Sequence, residues 1–123
     1  MKDELTTRSC CPAEQAMVVF GGKWRVGIVH HLQEGAKRFN QLRECMPGIT
    51  QKMLTQQLRH LQRYGIIQRN QLQRIPPHVE YSLTPLGKKM FPLLADITRW
   101  AELHMPAIHA AAAKFDAAKR RES

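Results

Sequence analysis

Residues 49–83 read ITQKMLTQQLRHLQRYGIIQRNQLQRIPPHVEYSL, and this stretch restricts the fold more than any other part of the chain. It opens behind Pro47-Gly48, a strong helix break, and Thr50 stands where a helix favours a hydroxyl cap. Leu54, Leu58 and Leu61 then recur at i, i+4 and i+7, the spacing of a narrow buried helical stripe, and Gly65 ends the run. After Gly65 the period changes from helical to alternating. Ile67, Arg69 and Gln71 alternate with Gln68, Asn70 and Leu72, and Val79, Tyr81 and Leu83 with Glu80 and Ser82. That pattern predicts an antiparallel hairpin with Arg74 to Pro77 at its tip.

Other helices flank this pair. Cys11-Pro12 opens PAEQAMVVF, with Ala13, Met17 and Phe20 at helical spacing and Gly21-Gly22 as the stop. Lys23 to Gln33 places Trp24, Ile28 and Leu32 on one stripe beside Val29, and Gly35 ends it. Lys37-Arg38-Phe39 reads as a brief extended stretch, and Asn40 as the cap of a short helix through Met46 with Leu42 and Met46 inward. Thr84-Pro85 starts a long helix from Leu86 to Leu103, in which Pro92 predicts a kink, and Pro106 to Ala118 predicts a separate last helix ahead of a frayed KRRES end. The expected class is mainly α with a small β-hairpin wing, a winged helix-turn-helix. The 123 residues suit one domain, because two halves would each approach the size at which cores become marginal. The expected organisation is therefore a single domain over 1–123, with its core at 11–104 and N- and C-terminal helices for dimerisation.

Charge singles out the same stretch. The net charge is +9, and residues 37–74 hold +7 of it, from Lys37, Arg38, Arg43, Lys52, Arg59, Arg63, Arg69 and Arg74 against Glu44 alone. A concentrated cationic segment in a small protein suits a polyanion, since neutralising phosphates releases counterions; on charge alone a solvated basic face serves equally well. Architecture breaks the tie, because in a winged helix the basic helix enters the major groove and the hairpin reaches flanking backbone or minor groove. Candidate DNA contacts are Thr50, Gln51, Lys52, Thr55, Gln56 and Arg59 on the far side of the leucine stripe, with Arg74 at the wing tip and Lys37 and Arg38 as phosphate grips. Gln and Arg can pair bidentately with adenine and guanine, while Lys52 suits a base edge or a phosphate.

Three stretches, CPAEQAMVVFGGKW, ITQKMLTQQLRHLQRYGII and PPHVEYSLTPLGKKM, together with Trp100, resemble the HxlR-type transcriptional regulators, winged-helix relatives of the MarR group. The likeness runs from about Cys11 to Trp100. It implies a homodimer on an inverted-repeat operator in double-stranded DNA, a recognition helix over about Thr50 to Tyr64, and a wing tip near Arg74. Some members of the family sense oxidants or electrophiles through a cysteine just before the first helix, which here is Cys11. Its thiol would face the positive end of the helix dipole, which favours a thiolate, while Glu14 one turn on works the other way; a buried inert thiol is the alternative. Members that form an intersubunit disulfide use a second cysteine, and none follows Cys45 here. A vicinal disulfide between Cys10 and Cys11 would be strained.

Met90, Leu94, Ile97, Trp100 and Leu103, with the last helix and the first, offer more apolar surface than one small fold covers, which predicts a dimer interface; any one of them can instead pack in the monomer. His30, His31, His60, His78, His104 and His109 lack metal-ligand spacing, and no nucleophile-and-base set emerges, so no metal, cofactor or enzymatic activity is expected. No apolar run reaches the ~18–20 residues of a membrane span. The first fifteen residues lack a secretory signal, so a cytoplasmic protein is expected. A small-molecule effector, or a protein or RNA partner in place of an operator, remains a competing expectation.

Overall fold

The computed structural model describes residues 11–122. The reading of the N-terminal leader and of Cys10 lies outside the described residues. The chain forms two compact units, one ending at Lys89 and one beginning at Met90.

The first unit runs α1 (Pro12–Phe20), α2 (Arg25–Leu32), β1 (Lys37–Arg38), α3 (Phe39–Cys45), α4 (Gln51–Arg63), β2 (Ile67–Leu72), β3 (His78–Leu83) and α5 (Pro85–Lys88). Local chemistry starts α1 and bounds α4. Pro12 starts α1 in its first turn, where a missing N–H costs nothing. The Thr50 hydroxyl accepts the Met53 N–H at 3.1 Å and caps α4, and Gly65, at φ +76°, turns the chain out of it. The core draws on α2, α3, α4 and the two longer strands: Ile28, Val29 and Leu32 from α2, Leu42 from α3, the expected leucines of α4, and Ile67 and Leu83 from β2 and β3. Leu54, Leu58 and Leu61 are 0, 2 and 0% exposed.

In this unit the sheet and the start of α3 differ from the sequence expectation. The hairpin is part of a three-stranded antiparallel sheet in the order β1-β3-β2, with Lys37 opposite Tyr81 and Arg38 opposite Glu80. A two-residue strand has no period to detect, and its partner is distant in sequence. The helix expected to be capped by Asn40 begins at Phe39, with extended Arg38 in the cap position; Gln41 Oε1 accepts the Arg38 N–H at 2.8 Å and does the capping from inside the first turn.

The joint between sheet and α5 is tight. The Thr84 hydroxyl donates to the Gly65 carbonyl at 2.6 Å and accepts the Gly87 N–H at 3.0 Å, tying the end of β3 to the turn after α4. Gly87 is buried there, and a Cβ on it would lie 2.2 Å from the Ile66 carbonyl oxygen.

The second unit is α6 (Phe91–Glu122), 32 residues long. The long helix expected from Leu86 is therefore two helices, and Pro92 marks no kink: it falls in the first turn of α6, where proline is tolerated. Nor does Pro106 start a separate helix, since it lies inside α6. The lost N–H bond is local, and the alanines at 110–113 have the propensity to carry the helix onward. Among the described residues no helix is long and apolar enough to cross a membrane.

Candidate nucleic-acid interface

α3, the turn at Pro47-Gly48-Ile49 and α4 form the helix-turn-helix, and β2 with β3 forms the wing. Because the leucine stripe is buried, the opposite side of α4 is held outward. Thr50, Gln51, Lys52, Gln56 and Arg59 are exposed and Thr55 is half-buried. Gln51, Lys52, Thr55, Gln56 and Arg59 line one open depression. Among the described residues Lys52 and Arg59 have no ion-pair partner, so the face presents amide, hydroxyl and cationic donors with uncompensated positive charge. Those are the groups that reach base edges and phosphate oxygens.

Arg74 is exposed at the wing tip beside Ile75, whose side chain is wholly open to solvent. Lys37 and Arg38 sit on β1 and are less free. Lys37 Nζ is 3.2 Å from Glu34, and its side chain is mostly buried. The Arg38 guanidinium is 3.0 Å from His78 Nδ1, and His78 Nε2 is 3.3 Å from Glu80. That geometry matches a neutral imidazole accepting from Arg38 and donating to Glu80. Each cation would have to exchange a protein partner for a phosphate.

Cys11 is exposed and occupies the N-cap position of α1, in extended conformation. Cys45, at the end of α3, is half-buried. On the expected dimer face the residues divide. Met90 and Leu94 are 7% and 8% exposed within the single chain, which leaves them little surface to offer a partner. Ile97, Trp100 and Leu103 are exposed, as are Leu93, Ile108 and Phe115 further along α6. Among the described residues no group of three or more His, Cys, Asp or Glu side chains could hold a metal ion.

One residue near the site was not foreseen. Arg25, the first residue of α2, is half-buried and donates to Gln57 on α4. Its position at a helix start, where acidic residues are usual, is the one local signal that could have drawn notice.

A helix-turn-helix followed by a hairpin wing, with an open cationic face on its second helix, defines the winged-helix DNA-binding class. The chain matches the HxlR-like helix-turn-helix family over residues 19–109 and belongs to that family. It is 42% identical to the uncharacterised HTH-type transcriptional regulator YdeP of Bacillus subtilis over 91% of this chain and 84% of that one. Among solved structures it resembles the redox regulator HypR in its reduced form, at 40% identity and a TM-score of 0.76, covering 81% of this chain and 99% of HypR. It also resembles the reduced form of the transcriptional regulator YodB from B. subtilis, at 34% identity and a TM-score of 0.72, over 78% and 95% of the two chains. The protein is a helix-turn-helix transcriptional regulator.

Proposed function

We propose that the protein is a homodimer that binds an inverted-repeat operator, with α4 of each subunit in the major groove. The observation that carries this reading is the depression on α4, where Gln51, Lys52, Thr55, Gln56 and Arg59 converge with no ion-pair partner for either cation among the described residues. Thr50, at the same end of the helix, joins the contact. Arg74 meets the flanking minor groove or backbone, and Lys37 and Arg38 grip phosphates after releasing Glu34 and His78. Ile97, Trp100 and Leu103 supply the apolar contact between subunits. Selection of duplexes from a randomised pool by the wild-type protein tests it. The expected product is a two-fold symmetric site with half-sites about one helical turn apart, ~34–36 Å. Recovery of no preferred sequence, or of a single unrepeated half-site, contradicts it.

The regulatory signal is thiol chemistry at Cys11. Its exposure at the start of α1 supports this, as does the likeness to HypR, which is itself a redox regulator. Diamide takes two electrons and two protons from a pair of thiols as it joins them, giving a Cys11 to Cys11 bridge across the dimer or one to Cys45, whereas a quinone adds to the single Cys11 thiol. DNA affinity should change on diamide or quinone treatment in wild type and stay fixed in Cys11→Ser. No change in wild type sinks the thiol switch and leaves a small ligand as the effector.

A further inference from the structure

The guanidinium of Arg25, on α2, reaches two other helices at once, α1 and α4. Val18 lies in the last turn of α1, where backbone carbonyls lack helical partners. That turn carries no cation of its own, and the chain leaves it at Gly21 in an extended conformation. The Arg25 Nη1 donates to the Val18 carbonyl, so a charge from α2 caps α1 in the sense its dipole favours. The Nε of the same guanidinium donates to Gln57 Oε1 at 2.8 Å. The group also lies 5.6 Å from the ring centroid of Tyr64, the C-cap residue of α4. Gln57 and Tyr64 are about two turns apart on one side of α4, so Arg25 grips that helix at two points and fixes its rotation as well as its position. Arg25 itself stands at the first position of α2, where the dipole disfavours a cation, so local helix chemistry does not account for it.

We infer that Arg25 is the positioning residue of the recognition helix: its guanidinium bridges the end of α1 to α4 and sets the direction in which Gln56 and Arg59 point. This deepens the reading of α4 as the DNA-contacting helix and rests on it. Two of its five N–H donors, on Nε and Nη1, are held by protein partners, so the inferred role is to position α4 and not to bind phosphate. The bridge also gives a displacement of α1, the helix that begins after Cys11, a route to α4.

The test compares wild type, Arg25→Met, Arg25→Lys, Gln57→Leu and the Arg25→Met/Gln57→Leu double variant. Each is titrated with a duplex selected by the wild-type protein and with a random-sequence duplex, at several salt concentrations. Arg25→Met is expected to bind the selected duplex about tenfold or more weakly, the scale of a lost hydrogen bond to a charged group. Its affinity for the random duplex and its salt slope should match wild type. The double variant should lose no more than Arg25→Met alone. Arg25→Lys, which keeps the charge without the fork, should recover only part of the loss. Equal weakening on both duplexes with a slope shallower by about 0.9 would make Arg25 a phosphate contact and overturn the inference. So would additive losses, or full recovery by lysine. Amide hydrogen exchange on the free protein reads the bridge without DNA. Arg25→Met should speed exchange in residues 12–20 and 51–63 together and leave β2 and β3 unchanged, and unchanged exchange in those helices overturns the bridge. If the wild type selects no duplex, the recognition-helix reading fails, and exchange still decides on Arg25.

Discussion

α4 and α6 are both amphipathic, and they spend their apolar faces differently. On α4 the three leucines are almost wholly buried, and what remains for solvent is glutamine, threonine, lysine and arginine. On α6 only Leu94 is buried, while Ile97, Trp100, Leu103, Ile108 and Phe115 are 42 to 74% exposed. Removing a large apolar side chain from water is worth about 1.5–3 kcal/mol, so several on one helix favour a protein partner far more than the few tenths typical of surface charge pairs. The α4 face has no such apolar area left, and its uncompensated cations favour an anion. α4 spends its apolar side chains on a buried stripe and turns polar groups to solvent, whereas α6 leaves large apolar side chains exposed, the area that the proposed subunit contact would cover.

That contrast makes graded predictions. Leu58→Ala empties a site that is 2% exposed and should cost about 2–5 kcal/mol of folding stability, measured by denaturant unfolding; a loss under about 1 kcal/mol would mean the stripe is not the core it is taken to be. Gly87→Ala drives a Cβ against the Ile66 carbonyl and should cost about 1–3 kcal/mol in the same assay, through strain with no cavity formed. Thr50→Ala removes the α4 cap and should lower stability by about 1 kcal/mol. The smallest stability effect belongs to α6: Trp100→Gln with Leu103→Gln should leave folding nearly unchanged, within about 0.5 kcal/mol per site, while sedimentation shows a shift from dimer to monomer. Unfolding of that variant as a monomer would place those side chains in a core and collapse the comparison.

The parts of this structure legible in the sequence are those decided within a few residues. The Thr50 cap, the leucine stripe, the glycine stop and the wing with its Arg74 tip all announce themselves locally, and so did the outward set from Gln51 to Arg59. What escaped depends on partners far along the chain. β1 is two residues long and exists only because β3 pairs with it. Arg38, not Asn40, takes the cap position of α3 because Gln41 reaches back to it. The continuity of α6 through Pro106 defies a rule that breaks helices more often than it is overridden. Met90 and Leu94 fit the same apolar pattern as Ile97 and Leu103, and periodicity cannot separate residues buried in one chain from residues left for another. Arg25 and Gly87 were silent for a related reason, since a guanidinium bridge and a close backbone approach are properties of space and leave no spacing to read.

Contact between DNA and the outward face of α4 is tested by a salt titration of binding to a selected duplex by wild type, Lys52→Ala and Arg59→Ala. Each variant should fold as wild type does and bind more weakly, by about 1–3 kcal/mol where the lost contact was bidentate to a base. Where the lost contact was to phosphate, the log–log salt slope should be shallower by about 0.9. Wild-type affinity and wild-type slope in both variants would rule out this face of α4 and move the DNA interface elsewhere on the protein.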